Sequence, residues 1–257
     1  MKRPQYLEVA LEAAEAAAQV LMTYYNKQIS CAFKADQSPV TIADTEAENT
    51  IVDIIKKAFP EHGLLCEESG EHIPDSEYTW IIDPIDGTKN YMRGIPLFAT
   101  QIALSKNGRL MLGISNAPAL NELLFAEEGR GAFCNGERIV VSNTKELANA
   151  YLSFGNLKHF ESISKIPTLI RLAEVTRNPR GIGDAWSYHL LSQGHIDIML
   201  DAKTSIWDIA ALTVIVEEAG GKVTDFMGSP VTMETTSIIA TNSILHDTVL
   251  QIIGSGG

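Results

Sequence analysis

The stretch Trp80-Ile81-Ile82-Asp83-Pro84-Ile85-Asp86-Gly87-Thr88 constrains this chain most. Three large apolar residues in succession suit a pleated, packed surface and predict a buried strand. Pro84 has no N–H to give to a ladder, so the strand is expected to end beside it. Asp83 and Asp86 then lie at a strand end, where a turning backbone lets side chains converge. Gly87 permits close backbone approach, and Thr88 adds a hydroxyl. Oxygens from the two carboxylates, joined by the Ile85 carbonyl, form a candidate hard-cation site. The same residues also spell an ordinary turn, because Asp, Pro and Gly dominate turns for steric reasons.

The rest of the chain shifts that balance. An Ala-rich amphipathic helix is expected over residues 4–25, with Leu7, Leu11, Ala14, Ala18 and Leu21 on one stripe. A polar stretch from Lys34 to Thr41 leads into a second helix, about Asp44 to Phe59, where Asp44 reads as an N-cap or first-turn acid. Gly63 to Cys66 is a short buried strand ended by Glu67-Glu68-Ser69, and residues 70–79 read as a polar loop able to shade a site. Pro96–Leu104 and Arg109–Asn116 are expected to pair through Lys106-Asn107-Gly108, a strong hairpin signal. An antiparallel meander continues to about Val141.

Beyond Ser142 the pattern alternates. Strands are expected at 150–154, 196–200, 223–225 and 237–241, with helices at 163–172, 185–193, 206–219 and 246–253. The expected organisation is an α+β half over residues 1–143 and a more α/β-like half over 144–257, sharing an interface. The second half contributes Asp208 and the substrate pocket.

A net charge of −12 argues against a nucleic-acid partner, which needs a basic face. An acidic protein that handles an anionic substrate needs cations to invert the local field. Three cysteines without paired spacing suit buried thiols in a reducing cytoplasm rather than disulfides. Neither a secretory leader nor an apolar run long enough to span a membrane is read. Gly254 to Gly257 reads as a floppy tail.

Four acids, Glu67, Asp83, Asp86 and Asp208, each stand at an element end beside apolar sequence. Ser205-x-x-Asp208 also fits a capping box, so a purely structural role stays open. If the four converge, repulsion decides between the two. Two charges about 4 Å apart at an effective dielectric near 20 interact by roughly 4 kcal/mol. Such a cluster needs cations between its members. Oxygen-only ligands without a Cys or His set point to Mg²⁺ or Mn²⁺. Hard cations in a pair suit phosphate chemistry, with Gly87 and Thr88 holding phosphate oxygens. Walker, Rossmann and Gly-x-Ser-x-Gly signatures do not occur, so NTPase, dehydrogenase and serine-hydrolase readings are not indicated.

Glu67-Glu68-Ser69, Asp83-Pro84-Ile85-Asp86-Gly87-Thr88 and Trp207-Asp208-Ile209-Ala210-Ala211, in this order, resemble the inositol monophosphatase family. The resemblance implies an α/β/α/β/α layered sandwich and Mg²⁺-dependent hydrolysis of small phosphate monoesters. It also implies lithium sensitivity, a homodimer and two or three metals per site. By position, Glu67, Asp83 and the Ile85 carbonyl would hold a first metal, and Asp83, Asp86 and Asp208 a second. Asp44, Glu67 and Thr88 would be catalytic, with Asp44 and Thr88 orienting and deprotonating the attacking water. Lys34 falls near a family lysine. Gly87, Thr88, Asp184, Asp201 and Asp208 would meet the substrate. Residues 87–96, 99–104, Ala117-Pro118-Ala119-Leu120 and Gly183-Asp184 look most like the histidinol-phosphatase branch. Ser187 departs from that branch, where Gly is common. Extra acids near the leaving group suit a cationic alcohol such as histidinol. Inositol-1-phosphate or a sugar or nucleotide phosphate is the rival substrate, and a non-catalytic member of the fold is the rival from another class.

Overall fold

A computed structural model describes residues 6–27, 31–33, 39–72 and 76–254. Lys34 and the tail from 255 lie outside them. The chain begins with α1 (Tyr6–Tyr24), the short strands β1 (Cys31–Phe33) and β2 (Pro39–Thr41), and α2 (Ile42–Ala58). Next come β3 (Gly63–Cys66), β4 (Gly70–His72), β5 (Tyr78–Asp86) and the single turn α3 (Thr88–Met92). The meander follows as β6 (Ala99–Lys106), β7 (Arg109–Ala117), β8 (Glu122–Glu127), β9 (Ala132–Cys134) and β10 (Glu137–Ile139). The remainder is β11 (Tyr151–Phe154), α4 (Leu157–Ser162), α5 (Ile166–Val175) and β12 (Asn178–Arg180), then α6 (Asp184–Ser192) and β13 (Ile198–Ala202). It closes with α7 (Ile206–Glu218), β14 (Lys222–Thr224), β15 (Ser237–Thr241) and α8 (His246–Gly254).

Eight strands form the first sheet, in the order β10-β9-β8-β7-β6-β5-β3-β4, antiparallel except for the β3–β5 pair. Five form the second, β12-β11-β13-β15-β14, which mixes parallel and antiparallel pairs. The apolar residues sort these sheets into layers. Ala10, Ala14, Leu21, Ile51 and Ile55 of α1 and α2 pack on Trp80, Ile82, Ile102 and Leu104 from one face of the first sheet. Ile81, Ala99 and Ala103 point to the opposite face, against Tyr188 and Leu191 of α6 and Ile209 and Leu212 of α7. That layer also takes Met199, Ile238 and Ala240 from the second sheet. The far face of the second sheet is covered by Phe160, Leu169, Leu172, Val249 and Ile253 from α4, α5 and α8. The alternation along β5 and β6 is the period-2 rule, with both faces buried. The result is the α/β/α/β/α sandwich expected from the resemblance.

Two local expectations are corrected. β5 does not stop beside Pro84 but runs to Asp86, because a register shift between Asp83 and Asp86 leaves Pro84 outside the regular ladder. The freed Pro84 carbonyl accepts the Thr100 hydroxyl at 2.9 Å. Within the segment 70–79, residues 70–72 are a strand, β4, for which the edge strand β3 supplies the ladder partner, and Tyr78 and Thr79 already belong to β5, while residues 73–75 lie outside the described residues. The Asn107-Gly108 turn is as expected, with φ of 51° and 80° at its two residues.

Candidate active site

The middle helical layer brings the predicted acids together. One oxygen each of Asp83, Asp86 and Asp208 lies within 4.8 Å of the other two, although Asp208 is more than a hundred residues away in sequence. Backbone N–H groups aim each of them. Asp83 Oδ1 accepts from Ile85 N at 2.8 Å, Asp86 Oδ2 from Ala185 N at 2.7 Å, and Asp208 Oδ2 from Ser205 N at 2.7 Å. With one oxygen of each carboxylate pinned, the orientation of each carboxylate is fixed. Asp208 is the N3 member of a capping box with Ser205, so capping and clustering coexist in one side chain.

Asp44 is built the same way. It is N3 of a capping box with Thr41, buried, with Oδ2 accepting from Thr41 N at 2.7 Å. Its Oδ1 accepts from the Thr88 hydroxyl at 3.4 Å, and that hydroxyl also reaches the Ile85 carbonyl at 3.0 Å. Gly87, with φ of 89°, makes the turn between Asp86 and Thr88. A Cβ there would lie 2.8 Å from the Leu97 carbonyl oxygen, so the position requires glycine. Glu67 follows β3 and lies within hydrogen-bond reach of the Asp83 carboxyl, whose pKa it raises.

Asp184 and Asp201 stand on the other side of the cluster. With Asp86, Asp208, His159 and Tyr188 they line a cavity of about 80 Å³. Asp184, which begins α6, accepts from Asn90 Nδ2 at 3.1 Å. Sequence reasoning missed several contributors. Buried Glu48 accepts from Glu68 N at 2.8 Å and Ser69 N at 2.9 Å, and so fixes the segment that carries Glu67. Gly155 lets the backbone pass Asp201, since a Cβ would come within 2.3 Å of its Oδ1. Neither is marked by local sequence. His189, with Ser115 Oγ at 2.6 Å and Glu122 Oε1 at 3.0 Å, mimics a nucleophile chain. Ser115 and His189 are both wholly buried, so no substrate reaches them, and they tie α6 to the first sheet.

Electrostatics sets the chemistry. Burial, followed by the neighbouring acids, pushes Asp83 and Asp86 well above the ordinary carboxylate range. Asp201 rises to about 8 through burial and the charges of Asp184 and Asp208. Asp208 rises to about 6, chiefly through burial. An all-oxygen donor set, buried at Asp83, half-buried at Asp86 and Asp208, and mutually repelling, fits hard divalent cations; Asp83, Asp86 and Asp208 could hold one, with Glu67 alongside. A carboxyl whose pKa is higher folded than unfolded binds more protons in the folded state, so stability falls as pH rises. The metal-free protein is therefore expected to lose stability from the ordinary carboxylate range up to about pH 8. Thermal melts in chelator should drop by about 5 °C or more from pH 5 to pH 8, and Mg²⁺ should restore most of the loss. A flat profile in chelator would contradict the cluster.

The pattern that defines the inositol monophosphatase family matches residues 2–255. This chain belongs to that family. Inositol monophosphatase family members are metal-dependent phosphoric monoester hydrolases, and the present chain is an enzyme of that class. It is 36% identical to the histidinol-phosphatase of Chlorobaculum parvum over 251 residues, 97% of each chain. It is 40% identical to the fructose-1,6-bisphosphatase/inositol-1-monophosphatase of Thermotoga maritima over 215 residues, 83% of this chain and 82% of that one. A solved Thermotoga maritima IMPase superposes with a TM-score of 0.89 at 36% identity, covering 97% of both chains. No helix among the described residues of this inositol monophosphatase family member is long and apolar enough to cross a membrane.

Proposed function

We propose that this enzyme hydrolyses L-histidinol phosphate, with Mg²⁺ held by Glu67, Asp83, the Ile85 carbonyl, Asp86 and Asp208. The observation that carries the reading is the convergence of Asp83, Asp86 and Asp208 within 4.8 Å beside a cavity lined by two further acids. When bound, the cations supply water activation and charge neutralisation at phosphate. The protein's own groups do the rest. Thr88, hydrogen-bonded to Asp44 and to the Ile85 carbonyl, orients the attacking water and passes its proton to Asp44. Glu67, beside the Asp83 carboxyl, would hold a cation there and so support water activation. Gly87 and Thr88 present backbone N–H groups to the phosphate oxygens. Asp201 and Asp184 face the leaving alcohol, where negative charge attracts the amine of histidinol. The halves 1–143 and 144–257 meet at this site, the second contributing Asp184, Asp201 and Asp208. The enzyme works in the cytoplasm as a lithium-sensitive homodimer.

Inositol-1-phosphate is the second reading, favoured by relatives of comparable identity that carry that activity in their names. Phosphate release from both esters under saturating Mg²⁺ separates the two. Histidinol phosphate should be preferred, and a tenfold preference for inositol-1-phosphate overturns the histidinol reading. Asp184→Asn should lower kcat/KM for histidinol phosphate by about tenfold through loss of a charge-assisted contact. The same variant should leave p-nitrophenyl phosphate within about twofold; an equal fall on both would remove Asp184 from the alcohol side.

A further inference from the structure

Four carboxylates line the cavity, and the Asn156 amide is exposed at its rim. Asp86, Asp184, Asp201 and Asp208 are acceptor-only when ionised. His159 also lines the cavity, with its Nδ1 donating to the Ala202 carbonyl at 2.9 Å. The Thr204 hydroxyl is already engaged, 3.1 Å from Asp208 Oδ2 and 3.4 Å from the Ser205 carbonyl. Lys203 is exposed at the rim.

Tyr188 is different. Its side chain is only 2% exposed, its ring packs in the middle layer among Leu191, Ile209 and Leu212, and it lines this cavity. Yet its hydroxyl has no hydrogen-bond partner. Buried hydroxyls are nearly always paired, because leaving one unpaired costs about 1–3 kcal/mol. Burial, and then the charges of Asp201, Asp86, Asp208 and Asp184, hold the phenol well above its usual range. It therefore keeps its proton and remains a donor. A ring anchored by packing, with its hydroxyl buried and unpaired beside a cavity lined by four carboxylates, suits a group whose partner arrives with the ligand.

We propose that the Tyr188 hydroxyl contacts the substrate, donating a hydrogen bond to an acceptor atom on the alcohol part of the phosphate ester. This rests on the phosphomonoesterase reading and narrows its substrate class. The surrounding acids satisfy donors such as ammonium, hydroxyl or azole N–H. Tyr188 demands one acceptor in the same small molecule, either a hydroxyl oxygen or a pyridine-type nitrogen. An amino-alcohol or polyol ester carries both; a simple aryl phosphate does not.

Tyr188→Phe removes the hydroxyl and keeps the ring. With the natural ester preferred by the wild type, histidinol phosphate or inositol-1-phosphate, kcat/KM should fall by about tenfold, the worth of one good buried hydrogen bond. p-Nitrophenyl phosphate turnover should stay within about twofold, and the melting temperature should not fall. A parallel loss on both esters, or no loss on either, overturns the proposal. Calorimetric titration of the Mg²⁺- and phosphate-loaded protein with free L-histidinol and with myo-inositol gives a second readout that needs no turnover. The alcohol of the preferred ester should bind about tenfold more weakly to the variant; equal affinity also overturns the proposal. If the wild type hydrolyses none of the three esters, the phosphomonoesterase reading fails, and the titration still judges Tyr188.

Discussion

Replacing Asp83 with Asn is expected to abolish phosphate release, by at least about 10³-fold in kcat/KM, while the metal-free protein becomes more stable. The two halves of this result have one cause. Asp83 is 1% exposed, and its carboxyl is crowded by Glu67, Asp86 and Asp208. At an effective dielectric near 20, each pair of charges about 4 Å apart stores roughly 4 kcal/mol of repulsion. An amide of the same shape still accepts the Ile85 N–H bond but carries no charge, so the repulsion goes and the metal-binding power goes with it. The stability gain in chelator should grow as the pH rises above the ordinary carboxylate range and shrink as it falls back into that range, where the wild-type carboxyl is protonated. Mg²⁺ should raise the wild-type melting temperature and leave that of the variant nearly unmoved. Turnover within tenfold of wild type, or a variant less stable than wild type in chelator at pH 8, would remove Asp83 from the centre of the site.

The reason this cluster was legible in the sequence is that apolar runs rarely end in carboxylates without cause. Glu67, Asp83 and Asp208 each follow or precede a core-forming stretch, so placing the strand or helix also placed the acid. From sequence alone, capping and chemistry are rival roles for Asp44 and Asp208. The structure has both side chains as capping-box residues, with one oxygen spent on the helix end, and this is what makes them rigid. A helix start is thus a cheap device for aiming a carboxylate.

What could not be read depends on neighbours distant in the chain. Pro84 was expected to end its strand, because the rule about missing ladder donors takes no account of a bulge that sets the residue aside. The strand at 70–72 is formed by polar residues whose only cause is the adjacent edge of β3. Gly155 and Glu48 serve the site through contacts with Asp201 and with the 67–69 segment, which no local pattern announces. Tyr188 carries no sequence signal beyond an aromatic on a helix, and its unpaired hydroxyl is visible only once the cavity exists.

Gly113 makes the same point with a large effect attached. It lies in the middle of β7, where glycine ordinarily weakens a strand. A Cβ at this position would come 2.2 Å from the Ala211 carbonyl oxygen and 2.9 Å from the Ala211 Cα, both backbone atoms of α7. No rotamer change can relieve that contact, so Gly113→Ala must push α7 off the first sheet. The expected loss is about 3 kcal/mol, at the upper end for overpacking because the obstacle is backbone, and corresponds to roughly 6–12 °C in melting temperature. The functional consequence follows from where α7 begins. Asp208 sits in its first turn, with its Oδ2 fixed to the N-cap, so the carboxylate moves with the helix. Phosphate release should therefore fall below the level that the folded fraction explains, and the Mg²⁺ concentration for half-maximal activity should rise. Raising Mg²⁺ should recover part of the activity, because the ligand is displaced rather than missing. An unchanged melting temperature would mean that the strand, not the helix, yields; full activity at low Mg²⁺ in a destabilised variant would mean that Asp208 is held by its cap and not by the packing of α7 on Gly113.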